Sequence, residues 1–403
     1  MARIVEINTS CNYGSTGHIE EAIGKLAVEQ GHEVLIAHGG RYVNPSQLPT
    51  FPIQPKWMDY VHYVLGSVTG KQGQFSTYYT KRFVRKLKAY QPNIIHLHNI
   101  HGYYLDYRVL FRYLQEANIP IVWTLHDCWP LTGHCAYYAT ETGVCEQWKT
   151  SCQHCPKLRD YPRVWLDRVH EEHALKKELI GSLKNLTIIP VSQWMDDNVK
   201  QSFLGDKKTT VIHNGIDLNV FYERPNRKEL CHKWGIGEDK FVLLGVASHW
   251  NKRKGYKDIL SLSDIEGTKL IIVGVTKQQK QRLPEGVIGI ESTENTDELA
   301  ELYSLADAFV NPTYSDTFPT TNLEAQACGT PVLTYNTDGS PETLTNQTGC
   351  IVPKGDRKAL RVVIEKWQKN NPFDRETIQQ FAHKRYNKNE RFQEYITLYN
   401  RLL

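Results

Sequence analysis

No stretch of this chain approaches the roughly 18 consecutive apolar residues of a membrane span, which excludes an integral helical membrane protein. The opening residues, Met-Ala-Arg-Ile-Val-Glu, meet an acid at Glu6 and a polar run from Asn8. They hold no apolar core of a signal peptide, so the expected location is the cytoplasm. A large excess of one charge is also missing. The 48 Lys and Arg face 44 Asp and Glu, and a net charge of +4 is too weak to imply a nucleic-acid partner by itself. Internal repeats and low-complexity tracts are absent, so neither a solenoid nor a disordered tail is expected. What is present is a globular composition. Hydrophobic residues make up 40% of the 403, and that length suggests two sizeable domains.

The order of elements predicts an α/β fold. Residues 3–8 read as a buried strand, followed by a polar turn with Gly14 and Gly17. Ile19, Ile23, Leu26 and Ala27 then recur at helical spacing. Further strands are predicted at 33–37, 94–98, 121–125 and 186–191. The alternation restarts with strands at 241–247, 270–273, 308–311 and 332–335 and helices at 298–305 and 322–327. Such alternation predicts doubly wound parallel sheets, here one in residues 1–205 and one in 206–385, with a C-terminal helix at 386–403 packing back on the first domain. Two Rossmann-like domains of this kind leave a cleft between them, and their ligands bind at the carboxyl ends of the strands.

One segment concentrates chemistry. Asp316-Thr-Phe-Pro-Thr-Thr-Asn-Leu-Glu324 follows a predicted strand, enters a predicted helix and runs on to Gly329-Thr-Pro-Val332. A helix N-terminus offers unpaired N–H groups and partial positive charge to a phosphate. Glu324 on that helix suits ribose hydroxyls, and Asp316 suits the hydroxyls of a sugar. Spacing alone is equally compatible with a capped helix carrying a surface acid at each end. Upstream, Val246-Ala-Ser-His-Trp-Asn-Lys-Arg-Lys-Gly255 also runs from strand to helix and places Arg253 and Lys254 together.

These segments resemble the acid-x7-acid motif and basic loop of glycosyltransferase family 4, whose members have two Rossmann-like domains in the GT-B arrangement. Asp338-Gly-Ser-Pro-Glu342 is similar to the family's Gly-x-x-Glu segment. The resemblance spans nearly the whole chain. It implies a retaining transferase that moves a hexose from a nucleotide diphosphate sugar, with a UDP-sugar favoured, to a hydroxyl of a surface polysaccharide or an undecaprenyl-linked oligosaccharide. Glu324 would hold ribose, Arg253 and Lys254 the diphosphate, and Asp316 with the backbone of Phe318, Pro319, Thr320 and Thr321 the sugar. Asp316 stands where the family usually has Glu, one methylene longer. No Asp-x-Asp tracks the donor segment, so no catalytic metal is expected.

In the first half, Gly14-Ser-Thr-Gly17 lets backbone approach a ligand, and the resemblance turns this loop, Gly17 above all, toward donor phosphate or acceptor. His126-Asp127 ends a predicted strand, where ligands of parallel sheets bind. The resemblance gives His126 to the reacting sugar; the plainer reading is a strand-end histidine bonded to backbone. His98, Asn99 and His101 follow another strand and are expected with Asp127 on the acceptor side.

Nine cysteines, an odd number in a chain expected to be cytoplasmic, argue against a disulfide framework. Five lie in the loop 128–156. Cys152-Gln-His-Cys155 has the spacing of a metal knuckle, and with Cys135 and Cys145 it makes four thiols for a structural zinc. His134 and His154 are alternative ligands, and four packed, reduced thiols are the alternative to a metal. The text around this loop resembles the family members that build colanic acid and related surface polysaccharides.

A basic segment at 81–88 carries Phe83, Val84 and Leu87 on one face, downstream of Trp57, Tyr60 and Tyr63. Basic amphipathic helices lie on anionic lipid, so peripheral membrane contact is one reading, against an ordinary core-facing helix. Two rival functions stand beside the transferase. One is another enzyme of the same architecture, of epimerase or glucan-synthase type. The other is a zinc-dependent nucleic-acid-binding protein, which the balanced charge disfavours.

Overall fold

The computed structural model describes residues 1–139 and 143–403. The chain divides into two compact units. The first comprises Met1–Tyr138, Val144–His213 and Arg391–Leu403; the second comprises Asn214–Glu390, with Ala139 and Gly143.

The sheet of the first unit is built from β1 (Arg3–Cys11), β2 (Glu33–Val43), β3 (Thr50–Pro52), β4 (Ile94–Leu97), β5 (Ile121–Leu125), β6 (Leu186–Pro190) and β7 (Lys208–Thr209). Their order is β3-β2-β1-β4-β5-β6-β7, and every pair is parallel. The boundary therefore lies after His213 rather than at 205, because Lys208–Thr209 add a seventh strand to this sheet.

Side chains alternate across each strand, and both faces are covered. Val5, Ile7, Ile95, Leu97 and Trp123 enter one cluster. Ile4, Ile36, Ile94, Val122 and Ile189 enter the opposite one, which is closed by Phe392, Tyr395, Ile396 and Tyr399 of the last helix, Lys388–Leu402. Burial on both faces makes these strands continuous apolar runs.

The sheet of the second unit has β8 (Phe241–Val246), β9 (Thr268–Val273), β10 (Ile288–Ile290), β11 (Ala308–Asn311), β12 (Val332–Tyr335) and β13 (Gly349–Val352). The order is β10-β9-β8-β11-β12-β13, again all parallel. In each unit the first strand pairs with a neighbour on either side. The strand order thus reverses at β1/β4 and at β8/β11, the position at which parallel sheets of this kind bind their ligands.

Candidate active site

The loops that leave β8 and β11 meet at the reversal point of the second sheet. Gly255 sets the approach: its φ is +71°, and a Cβ there would lie 2.0 Å from the Pro312 carbonyl oxygen. Two backbone-level bonds then stitch the loops together. Tyr314 N–H donates to the Arg253 carbonyl at 2.7 Å, and Arg253 Nη1 donates to the Ser315 carbonyl at 2.7 Å. Lys254 Nζ donates to Asp316 Oδ2 at 2.5 Å, both side chains being mostly covered. Desolvation lowers the pKa of Lys254; Asp316 opposes that shift and Arg253 adds to it.

Beyond Asp316 the chain enters the helix Thr320–Ala327, whose first turn has neither an acid nor a side-chain cap. Its N–H dipoles are therefore not met by a local carboxylate. The Phe318 side chain is buried against Tyr386 and does not line the site. Its carbonyl accepts from Asn214 Nδ2 at 3.1 Å, which fixes the backbone ahead of the helix. Asn322, wholly buried, bonds Asn311 and Thr343 at 2.8 Å each, pinning the helix start to β11 and to the 338–343 segment. Asp338 bonds Ser315, and Gly339 N–H donates to the Asp316 carbonyl at 3.1 Å. Burial pushes Asp338 up to about 6.

Glu324 is partly exposed and accepts from Tyr303 hydroxyl at 2.9 Å. Desolvation raises its pKa to about 7, against the bonds from Tyr303 and Thr320. Arg253, Lys254 and Asp316 are thus tied together between the two loops, and Thr320, Thr321 and Glu324 lie on the helix that follows. Three residues outside the motifs support this region: Asn214 bonds the Phe318 carbonyl, Tyr303 bonds Glu324, and Ser315 bonds Asp338. No local pattern marks them.

In the first unit, Gly17 packs the helix Gly14–Glu29 tightly on the loop after β1: a Cβ would lie 3.0 Å from Ser10 Oγ and 3.2 Å from Asn12 N. That helix also starts without a side-chain cap or an acid in its first turn. The loops after β4 and β5 bring four predicted residues into two pairs. His98 Nδ1 is 3.0 Å from His126 Nε2, with the rings stacked 5.3 Å apart. His101 Nε2 is 2.6 Å from Asp127 Oδ2, while Asp127 Oδ1 accepts from Trp129 N–H at 2.9 Å. Burial lowers His126 to about 4, against the charge of Asp127, and holds His98 well below the usual histidine value. Both imidazoles are neutral at pH 7. Burial works against ionisation of Asp127, but His101 and the Trp129 N–H together hold it below the usual carboxylate range. Asn99, half-buried, donates its N–H to Asn8 Oδ1 at 3.4 Å and accepts Tyr104 hydroxyl at 3.0 Å on its carbonyl.

Cys135, Cys145, Cys152 and Cys155 line one cavity together with His134. They are not drawn to a single point. Among the described residues the group of metal-ligating atoms lying within 4.8 Å of one another is Glu6, His96 and His98. Both ring nitrogens of His96 are already engaged, by Tyr399 hydroxyl at 2.7 Å and Thr124 Oγ1 at 2.8 Å. Burial raises Glu6 well above the carboxylate range, so this trio is a neutral core network.

The helix Thr77–Tyr90 turns Phe83 and Leu87 into the core, fully buried. The apolar face of the basic segment is therefore covered, and the membrane reading does not rest on it. The neighbouring helix Lys56–Thr69 differs: Trp57, Tyr60, Val61, Val64, Leu65 and Val68 form an exposed stripe at helical spacing, with Trp57 60% and Val64 54% accessible.

Two parallel α/β units with polar loops at their sheet reversals match the architecture of GT-B glycosyltransferases. The model for "Glycosyltransferase Family 4" matches residues 18–220, half of the chain, and that for "Glycosyl transferases group 1" matches residues 226–385. The chain belongs to glycosyltransferase family 4. It is 26% identical over 326 residues to the colanic acid biosynthesis glycosyl transferase WcaC of Escherichia coli K12, covering 77% of each chain. It is 30% identical over 216 residues to the capsular polysaccharide biosynthesis glycosyltransferase CapM of Staphylococcus aureus, covering 49% of this chain and 56% of CapM. Among solved structures, sucrose-phosphate synthase of Thermosynechococcus elongatus shares the fold with a TM-score of 0.73 at 18% identity, covering 100% and 99% of the two chains. Anabaena Alr3699/HepE in complex with UDP shares it with a TM-score of 0.69 at 15% identity, covering 99% of each.

Proposed function

We propose that this glycosyltransferase moves a hexose from a UDP-sugar, with retention at the anomeric carbon, to a hydroxyl of a surface-polysaccharide or lipid-linked oligosaccharide acceptor. The observation that carries the reading is the Lys254–Asp316 pair at the head of an uncapped helix. A nucleoside diphosphate brings the anion that this arrangement would accept. Its phosphates compete with Asp316 for Lys254, take Arg253 as a second cation and meet the helix dipole. Released from Lys254, Asp316 turns to the sugar hydroxyls, and Glu324 takes the ribose.

The chemistry asks the enzyme to stabilise charge that develops on the leaving diphosphate while the anomeric carbon becomes oxocarbenium-like. Arg253, Lys254 and the N–H groups of Thr320 and Thr321 supply that stabilisation. Same-face attack follows, with the departing phosphate oxygen taking the acceptor proton. No carboxylate is then needed as a nucleophile. Neutral His126 serves the transferred sugar as a hydrogen-bond partner, oriented by His98. UDP is favoured because it is the nucleotide named with HepE, which shares this fold.

The acceptor is reached at a membrane surface. The exposed stripe from Trp57 to Val68, with Lys56 at its start, is the amphipathic face that an anionic bilayer would bind. The test of the activity is transfer from UDP-[14C]hexoses to lipid-linked acceptor in purified protein, with the anomeric product read by NMR. Retention supports the reading, and an inverted product rejects it.

A further inference from the structure

We infer that Cys135, Cys145, Cys152 and Cys155 hold one zinc ion as a closed tetrathiolate that staples the long loop after β5. This does not rest on the donor assignment, because all four lie in the first unit.

The need for a staple comes from the loop itself. Between β5 and the helix Val169–Gly181 the chain runs through residues 126–168 with two three-residue 3-10 turns, Trp129–Leu131 and Gln147–Lys149. Among the described residues it has no α-helix and no ladder strand there. Connections beyond about 12–15 residues without regular structure are uncommon in compact domains and need other support.

The four cysteines line one cavity from three separate points of that loop. Two of them already receive backbone donors: Gly133 N–H points at Cys152 Sγ at 3.2 Å, and Lys157 N–H at Cys155 Sγ at 3.4 Å. Such donors stabilise thiolate more than thiol. The Cys152-Gln-His-Cys155 turn is also strained in the sense a knuckle requires. His154 is left-handed, φ +47°, a conformation disfavoured for a residue with a Cβ. It lies between the two cysteines of the pair, both of which line the cavity.

The surroundings carry compensating charge. A zinc tetrathiolate is dianionic, its four thiols having each released a proton. The buried Lys176 amine donates to the Trp129 carbonyl at 2.8 Å and to the carbonyl of Thr132, a residue that lines the same cavity, at 2.9 Å. Metal binding draws the sulfurs in from the cavity wall to about 2.3 Å from the ion. A site with four protein ligands and no open position is structural. It fixes the loop that begins at His126 and Asp127, the acceptor-side pair.

The test uses the full chain, expressed with zinc in the medium, desalted and analysed by mass spectrometry for metals. About one zinc per chain is expected. A mercurial reagent should release it to a chromophoric chelator in step with thiol blocking. Anaerobic exchange into cobalt(II) should give tetrahedral d–d bands with the thiolate charge-transfer intensity of four sulfurs. Cys152→Ser and Cys155→Ser should each lose at least about nine-tenths of the metal, while Cys350→Ser in the second unit keeps it. Because the serine variants can also fail by misfolding, the cobalt spectrum of the wild type decides independently. Folded protein with no zinc and no cobalt–thiolate absorption overturns the proposal. A three-sulfur cobalt spectrum that changes in His134→Gln overturns the four-thiolate set. UDP binding is measured on the same samples, so loss of the metal site and loss of the donor site are told apart.

Discussion

Lys254 Nζ and Asp316 Oδ2 lie 2.5 Å apart, joining the loop after β8 to the loop after β11. The pair keeps a mostly buried ammonium and carboxylate compensated, and a diphosphate must exchange for the carboxylate. Removing either partner therefore has opposite first effects. Lys254→Ala should weaken UDP binding at least tenfold, about 1.4 kcal/mol. Asp316→Asn should leave UDP binding unchanged or tighter while turnover falls, because the sugar contact is lost. Calorimetry and steady-state rates on both variants check this; weaker UDP binding in Asp316→Asn would contradict the exchange.

In the proposed donor site, Glu324 would bring a pH dependence. Desolvation raises its pKa to about 7 in the folded chain. A carboxyl raised on folding favours the folded state most below its unfolded pKa, and that contribution is lost as pH rises through about 7. Ribose hydroxyls prefer the ionised acceptor, so nucleotide binding should tighten over the same rise and release protons. Glu324→Gln should abolish the pH slope of UDP affinity and weaken binding. Calorimetry in buffers of different ionisation enthalpy reads the proton release directly.

His126 is held neutral at physiological pH by burial, with a pKa of about 4. Its titration should leave the rate flat between about pH 6 and 8. His126→Ala should lower turnover at least tenfold with little change in melting temperature, and wild-type turnover would return it to a purely structural role. His98→Ala should give a smaller loss, because His98 acts by orienting His126.

Gly255 should tolerate no side chain. A Cβ would sit 2.0 Å from the Pro312 carbonyl oxygen at φ +71°. Gly255→Ala should cost about 2 kcal/mol or more of stability in denaturant unfolding. An unchanged midpoint would mean that the loop shifts without penalty.

The exposed stripe predicts a separable defect. Val64→Asp with Trp57→Ser should abolish flotation with vesicles containing anionic lipid, while kinetics with a water-soluble acceptor stay at wild-type values. Undiminished flotation would remove the stripe from the membrane account.

The sequence carried the fold where strands are buried on both faces. Residues 121–125, 308–311 and 332–335 are strands with the expected ends, since continuous apolar runs announce them. The edge strands Thr50–Pro52 and Ile288–Ile290 escaped because three residues are too few to show a period. The loops after β8 and β11 drew attention through their resemblance to the family motif, with Asp316 and Glu324 on either side of one helix start. The tyrosine that bonds Glu324 comes from another helix, and nothing local marks it. The basic segment at 81–88 left a core-facing and a membrane-facing helix both open for a related reason. Composition gives the apolar face of a helix but not whether a core covers it, and here Phe83 is covered while Trp57 is not.

The central claim is a nucleoside diphosphate site in the second unit, and calorimetric titration of UDP, GDP and ADP into the purified chain without added metal tests it most directly. The account predicts one-to-one binding of UDP, stronger than the other two and weakened at least tenfold by Lys254→Ala. Folded protein that binds none of the three, or binds UDP equally with Lys254 replaced, would contradict it.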